Sequence, residues 1–106
     1  MMVIPDRVKI GGLVYDVNQT EYLRLGSDYG GEILLRELVI NIRESLNENV
    51  KKRSLLHEVI HAICDNLGYG HDEQKIDMFT GALFALIVDN PEMFCRDTDS
   101  TKPVER

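Results

Sequence analysis

The sequence predicts an α+β fold, in which a small antiparallel or mixed sheet of about four strands packs against a helical hairpin. Apolar and polar residues alternate in the N-terminal half, as in half-buried strands. From about residue 49, apolar residues recur at intervals of three and four, as in helices that face a core. A chain of 106 residues suffices for one such core. We therefore expect a single domain over residues 1–95 and a polar, flexible tail over residues 96–106.

The strands are predicted in two pairs, at residues 7–10, 13–17, 32–35 and 38–43. Gly11-Gly12 separates the first pair and is typical of a tight hairpin turn. Arg36-Glu37 lies at the turn of the second pair. In the last strand, alternation places Leu38, Ile40 and Ile42 on one face.

Two helices follow, and each has recognisable ends. The first runs from about Asn49 to Leu67 and stops at Gly68, a residue favoured in left-handed C-caps. Asp72 is a typical N-cap for the second helix, and Asn90-Pro91 ends it. The predicted core positions are Leu55, Leu56, Val59, Ile60, Ile63 and Leu67 in the first helix, and Ile76, Phe79, Leu83, Leu86 and Ile87 in the second.

Composition excludes several functional classes. The net charge is −6. The chain lacks the clustered basic face that is typical of nucleic-acid binding. No stretch approaches the roughly 20 apolar residues of a membrane helix, and the N-terminus lacks the apolar segment of a signal peptide. Cys64 and Cys95 are isolated rather than part of a disulfide pattern. We expect a cytoplasmic protein with neither nucleic-acid nor membrane partners.

The stretch LLHEVIHAI, residues 55–63, carries the chemistry of the chain. Residues four apart share a helix face, so His57 and His61 can direct two imidazoles at one zinc ion. Glu58 lies one step round the helix, where it can take a proton from the water that zinc activates. The alternative is a half-buried helix face without metal. Burying all three polar side chains unpaired would be costly, so the uncharged surroundings favour a metal site.

A catalytic zinc needs a third protein ligand and an open position for water. The downstream segment GHDEQKID offers His71, Glu73 and Asp77. Glu73 and Asp77 share one face of the second helix, whereas His71 precedes that helix. Spacing alone does not separate His71 from Glu73. As an alternative to a ligand, Glu73 is a first-turn acid that favours the helix dipole.

HEVIH followed by a helix with Glu73 and Asp77 resembles the gluzincin pattern, HExxH followed by ExxxD. The chain also resembles small HExxH proteins of bacteriophages and mobile elements, related to the IrrE/ImmA type of metallopeptidase. This resemblance implies a minimal zincin-like fold with His57, His61 and Glu73 as zinc ligands. It further implies Glu58 as general base and Asp77 as the residue that orients a ligand histidine. The interval from His61 to Glu73 is shorter than in most larger gluzincins, so His71 and then Asp77 remain alternatives to Glu73.

The expected function is hydrolysis of peptide bonds, with the peptide held along an exposed sheet edge at residues 38–43. Tyr29 or Tyr69 could stabilise an oxyanion, although loop tyrosines more often cap a core. Two alternatives have no catalysis. In one, the zinc is structural, with His71 as a fourth ligand; in the other, the zinc-binding domain acts by binding a phage or host partner.

Overall fold

Four strands and two long helices build the chain in the computed structural model, which describes residues 3–26 and 29–94. The elements are β1 (Arg7–Ile10), β2 (Leu13–Thr20), β3 (Gly31–Leu34), β4 (Val39–Arg43), α1 (Glu48–Leu67), α2 (Glu73–Asp89) and a 3-10 helix, Pro91–Met93. The predicted α+β fold is confirmed. Cys95 and the predicted tail lie outside the described residues.

The sheet is mixed, with the strand order β1-β2-β4-β3. Both predicted pairs are antiparallel, and Gly11 and Gly12 take the positive φ angles of the first turn. The strand β2 extends beyond its predicted end, and its second half pairs in parallel with β4, placing Val17 beside Ile40. The strand β4 is therefore interior, and the prediction of residues 38–43 as an exposed edge was wrong. The edges are β1 and β3.

The helix α1 covers one face of the sheet and closes the core. Ile40 and Ile42 are completely buried, as the alternation predicts. Leu38 precedes β4 in a turn with a φ of 58° and packs only at the core's edge. The buried core comprises Ile10, Tyr15, Val17, Ile40, Ile42, Leu55 and Ala62.

The helix α2 packs on α1 and contacts no described strand. The molecule therefore has three layers, with α1 in the middle. Only Ile76 and Thr80 of α2 are buried, whereas Phe79 and Leu86 are exposed. Their assignment to the core was wrong, because α2 has only one covered side. The same correction applies to Ile63 and Leu67 at the outer side of α1.

Caps fix the ends of both helices, and those at Gly68 and Asp72 are the ones that the sequence predicts. The Asn47 side chain accepts the N–H of Asn49 at the start of α1. Gly68 ends α1 in the left-handed conformation, with a φ of 77°. The Asp72 side chain accepts the N–H of Lys75 and starts α2. No helix in residues 3–26 and 29–94 is long and apolar enough to span a membrane.

Ile40→Ala tests the interior position of β4. The substitution leaves a cavity at a fully enclosed site, so the free energy of unfolding in urea should fall by about 2–4 kcal/mol. Leu13→Ala, at an exposed position on β2, should cost less than about 1 kcal/mol. Equal losses in the two variants would contradict this arrangement.

Candidate metal centre

His57, His61 and Glu73 meet where α1 faces the first turn of α2. The Nε2 atom of His57 lies 2.6 Å from Oε2 of Glu73, and Nε2 of His61 lies 2.9 Å from Oε1 of the same carboxylate. One donor atom from each residue falls within 4.8 Å of the others. This group of three side chains could hold a metal ion.

Two nitrogen donors and one oxygen donor suit a transition-metal ion of intermediate hardness. Two imidazole nitrogens and a carboxylate oxygen form the His₂Glu set found in catalytic zinc sites. Donors bound tetrahedrally at about 2.0–2.1 Å lie roughly 3.3 Å apart, so each of the two contacts between Glu73 and a histidine would lengthen by less than about 1 Å on binding. Glu73 has that freedom because it begins α2 and its side chain is largely exposed.

Each histidine also has a partner for its other ring nitrogen. Nδ1 of His61 lies 2.9 Å from Nδ1 of His71, and the two ring planes are only 17° apart. Nε2 of His71 in turn lies 3.7 Å from Asp65. When Nε2 of His61 binds a cation, the proton of the imidazole ring is on Nδ1. From there it can be donated to Nδ1 of His71. His71 therefore lies behind His61 rather than beside the other donors.

Asp77 has the corresponding position behind His57. Its Oδ1 atom lies 3.6 Å from Nδ1 of His57 and 3.9 Å from the guanidinium of Arg53. These distances exceed a direct hydrogen bond but let the carboxylate attract the Nδ1 proton electrostatically. The two histidines thus have different outer partners, the imidazole of His71 for His61 and the carboxylate of Asp77 for His57.

The environment favours the protonation states that bind metal. Burial lowers the pKa of His61, and the nearby Glu73 carboxylate only partly opposes this. Burial raises the pKa of Glu73, but hydrogen bonding to His57 and the charges of both histidines outweigh it, so the net pKa is lowered. A neutral imidazole and an ionised carboxylate are the forms that coordinate a cation.

Glu58 is 8% exposed. It lies between the sheet and the three side chains that could hold a metal ion. Burial is the main cause that raises its pKa to about 7, and the charges of Glu73 and Glu32 add to the shift. Its Oε2 atom lies 3.6 Å from the point where a β-carbon on Gly31 would be. A bound cation would favour the ionised form again, since opposite charge lowers a carboxyl pKa.

A cleft of about 590 Å³ opens over these groups. The strand β3 borders one side, through Gly31, Glu32 and Ile33, and both helices border the other. Leu25 and Tyr29 extend the wall from the preceding loop. Of the two candidate tyrosines, only Tyr29 faces this cleft. Tyr69 lines a separate groove on the opposite side of the helix pair.

Arg43 and Glu32 hold that loop against the sheet. The guanidinium of Arg43 donates to the backbone carbonyls of Glu21, Gly26 and Tyr29. Glu32 is buried, and it accepts the N–H of Leu25 and the side-chain amide of Asn41. Burial raises the pKa of Glu32, but these hydrogen bonds outweigh it, so the net pKa is lowered.

Sequence reasoning missed both of these residues. The available signal was one charged residue within each apolar strand, Glu32 in β3 and Arg43 at the end of β4. Such a pattern alone does not identify the partner of either charge.

Comparison with known proteins gives no match: no family model matches the chain, and no curated protein or solved structure does. The chemistry of the site must therefore follow from its own donor atoms, burial and cleft.

Metal content should separate a ligand from a supporting residue. With zinc supplied as the probe ion, wild type should bind about one equivalent per chain, and Glu73→Ala should lose it, because the carboxylate faces both histidines. His71→Ala should retain the stoichiometry but bind about 10–100-fold more weakly, as expected when the partner of a ligand histidine is removed. The measurements are elemental analysis and competition with a chromogenic chelator. Gln74→Ala, next to Glu73, is the matched control. Retention of zinc in Glu73→Ala with its loss in His71→Ala would assign the third position to His71.

The raised pKa of Glu58 predicts a pH-dependent penalty in chelator-treated protein. Between pH 4.5 and about 7, the folded state holds the Glu58 proton more tightly than the unfolded state, so this group lowers stability as pH rises. Glu58→Gln removes the penalty and should stabilise the metal-free protein at pH 8 by up to roughly 3 kcal/mol. The gain should be much smaller at pH 5. Urea unfolding at both values, with exposed Glu44→Gln as control, measures the difference. A pH-independent effect of Glu58→Gln would refute the assignment.

Proposed function

We propose that the protein is a zinc-dependent peptidase, with His57, His61 and Glu73 as zinc ligands and Glu58 as general base. The observation that carries this proposal is one carboxylate between two imidazoles, beside a buried glutamate and an open cleft. Bound zinc supplies a Lewis acid that polarises a carbonyl and lowers the pKa of water towards about 7. The likeness of HEVIH and its acidic second helix to the small HExxH proteins of phages and mobile elements supports the same function.

Glu58 would transfer the protons. A general base must be ionised to accept a proton. Burial favours the protonated form of Glu58 in the metal-free protein, and a bound cation would favour the ionised form. As a base, Glu58 takes a proton from the attacking water. As an acid, it then returns that proton to the amine released from the broken peptide bond. The low exposure of Glu58 keeps bulk water from competing for the proton.

The strand β3 is the best support for an extended peptide. As an edge strand, β3 presents one row of backbone N–H and C=O groups that the sheet does not use, and it borders the metal cleft. Gly31 has no side chain to stand between this edge and Glu58. This placement replaces the interior strand β4, which cannot accept a further strand.

The cleft favours a substrate with a bulky apolar side chain. Leu25, Tyr29 and Val50 line it with partly exposed apolar surface. Burial of such surface contributes about 25 cal/mol per Å². A residue flanking the scissile bond could therefore gain affinity here, while the peptide backbone pairs with β3.

The second candidate is a zinc-binding module that acts through a partner without turnover. The exposed apolar surface of α2 favours it, because that surface lies away from the metal cleft.

Glu58→Gln separates the two candidates. The variant should retain about one zinc per chain but cleave peptides about 10²–10⁴-fold more slowly, because it cannot accept a proton. Cleavage is measured by mass spectrometry on a mixture of unstructured peptides, with zinc-loaded wild type and Glu44→Gln as references. Full activity in Glu58→Gln would exclude Glu58 as the base. A zinc-loaded wild type that cleaves nothing in the mixture would favour the binding module.

A further inference from the structure

The helix α2 carries more apolar surface than its own domain covers. Residues 78–88 contain no charged side chain over three turns, and a helix that is apolar all round is normally buried. Yet Met78 is 72%, Phe79 59% and Leu86 42% exposed. The small exposed residues Ala82 and Ala85 would let another helix approach closely.

This surface continues into a groove between the helices. The groove has a volume of about 640 Å³ and lies on the side of the helix pair opposite the metal cleft. Its apolar lining consists of Ile60, Cys64, Tyr69, Ile76 and Phe79. Ile63 and Leu67 follow Ile60 at helical spacing and extend the apolar border along α1. We call the groove and the exposed face of α2 together the hairpin patch.

We propose that the hairpin patch is the interface through which two copies of this chain form a symmetric dimer. The patch presents a ridge, with Phe79 and Leu86, directly beside a groove. A two-fold interface requires this kind of self-complementary surface, since each copy inserts its ridge where the other has its groove.

The exposed apolar area of the hairpin patch is close to the apolar area that one subunit contributes to a standard homodimer interface. Aromatic side chains offer about 150–250 Å² each. The lower end of that range, applied to the exposed fractions at six patch positions, gives roughly 500 Å² per copy. These positions are Ile63, Leu67, Tyr69, Met78, Phe79 and Leu86. A standard interface takes about 800 Å² from each partner, of which about 65% is apolar in homodimers.

Charge at the groove's edge is compatible with the same pairing. Asp72 and Lys75 both border the groove, so a two-fold axis can bring each lysine towards the aspartate of the other copy. An anionic membrane is a poor occupant, because the chain carries a net charge of −6. The segment 95–106 is a poor occupant too, since it contains only Cys95 and Val104 as non-proline apolar residues.

The test is the mass of the full-length protein by light scattering and sedimentation at about 50 µM, a concentration at which a standard-size interface holds. Wild type should have twice the 12.1 kDa of one chain. Phe79→Asp should weaken the dimer at least about 100-fold, because it places an unpaired charge in an apolar interface. Tyr22→Asp, at an 88% exposed position outside the patch, should remain dimeric.

Two further measurements keep the result interpretable. Phe79→Asp should retain the circular dichroism and zinc content of wild type, because its site is exposed and faces away from the metal cleft. If it misfolds, Ala85→Glu serves as the second substitution and should also give monomers. A monomeric wild type, or a dimer that survives both Phe79→Asp and Ala85→Glu, would overturn the proposal. Neither outcome depends on whether the protein is a peptidase.

Discussion

The contact between the Glu73 carboxylate and two histidines of α1 links the outer helix to the rest of the molecule. The helix α2 fully buries only Ile76 and Thr80, and among the described long elements it contacts α1 alone. A metal ion shared by His57, His61 and Glu73 would join the two helices by coordinate bonds. Binding of such an ion would therefore be coupled to the docking of α2, as expected when the ligands lie on separate elements.

The central position of α1 explains how so small a domain accommodates a polar site. One side of the helix gives Leu55 and Ala62 to the core, while the side facing α2 carries the histidines. Glu58 lies between these two sides, which is why burial dominates its pKa shift. The same arrangement leaves α2 with an uncovered outer face, so the metal cleft and the hairpin patch lie on opposite sides of one helix pair.

Much of the fold follows from local patterns, and the exceptions have physical causes. The turn at Gly11-Gly12 and the caps at Gly68 and Asp72 are encoded by single residues with defined backbone preferences. Strand order is not local, because it depends on the parallel pairing of β2 with β4. The spacing of the apolar residues in α2 predicts a helix, but it does not predict which surface covers that helix. A stripe such as Phe79 and Leu86 has the same spacing whether it faces its own core or a second chain.

The candidate metal ligands also differ in how far local sequence predicts them. Four-residue spacing suffices to predict that His57 and His61 share a face, but it leaves Glu73 and His71 equivalent. The difference lies in which ring nitrogen each one meets. Glu73 approaches Nε2 of both histidines, whereas His71 approaches Nδ1 of His61. That choice depends on the turn between the helices and on the Asp72 cap, which starts α2 just before Glu73. A residue can thus belong to a site as a donor or as the support of a donor, and only the three-dimensional arrangement distinguishes the two.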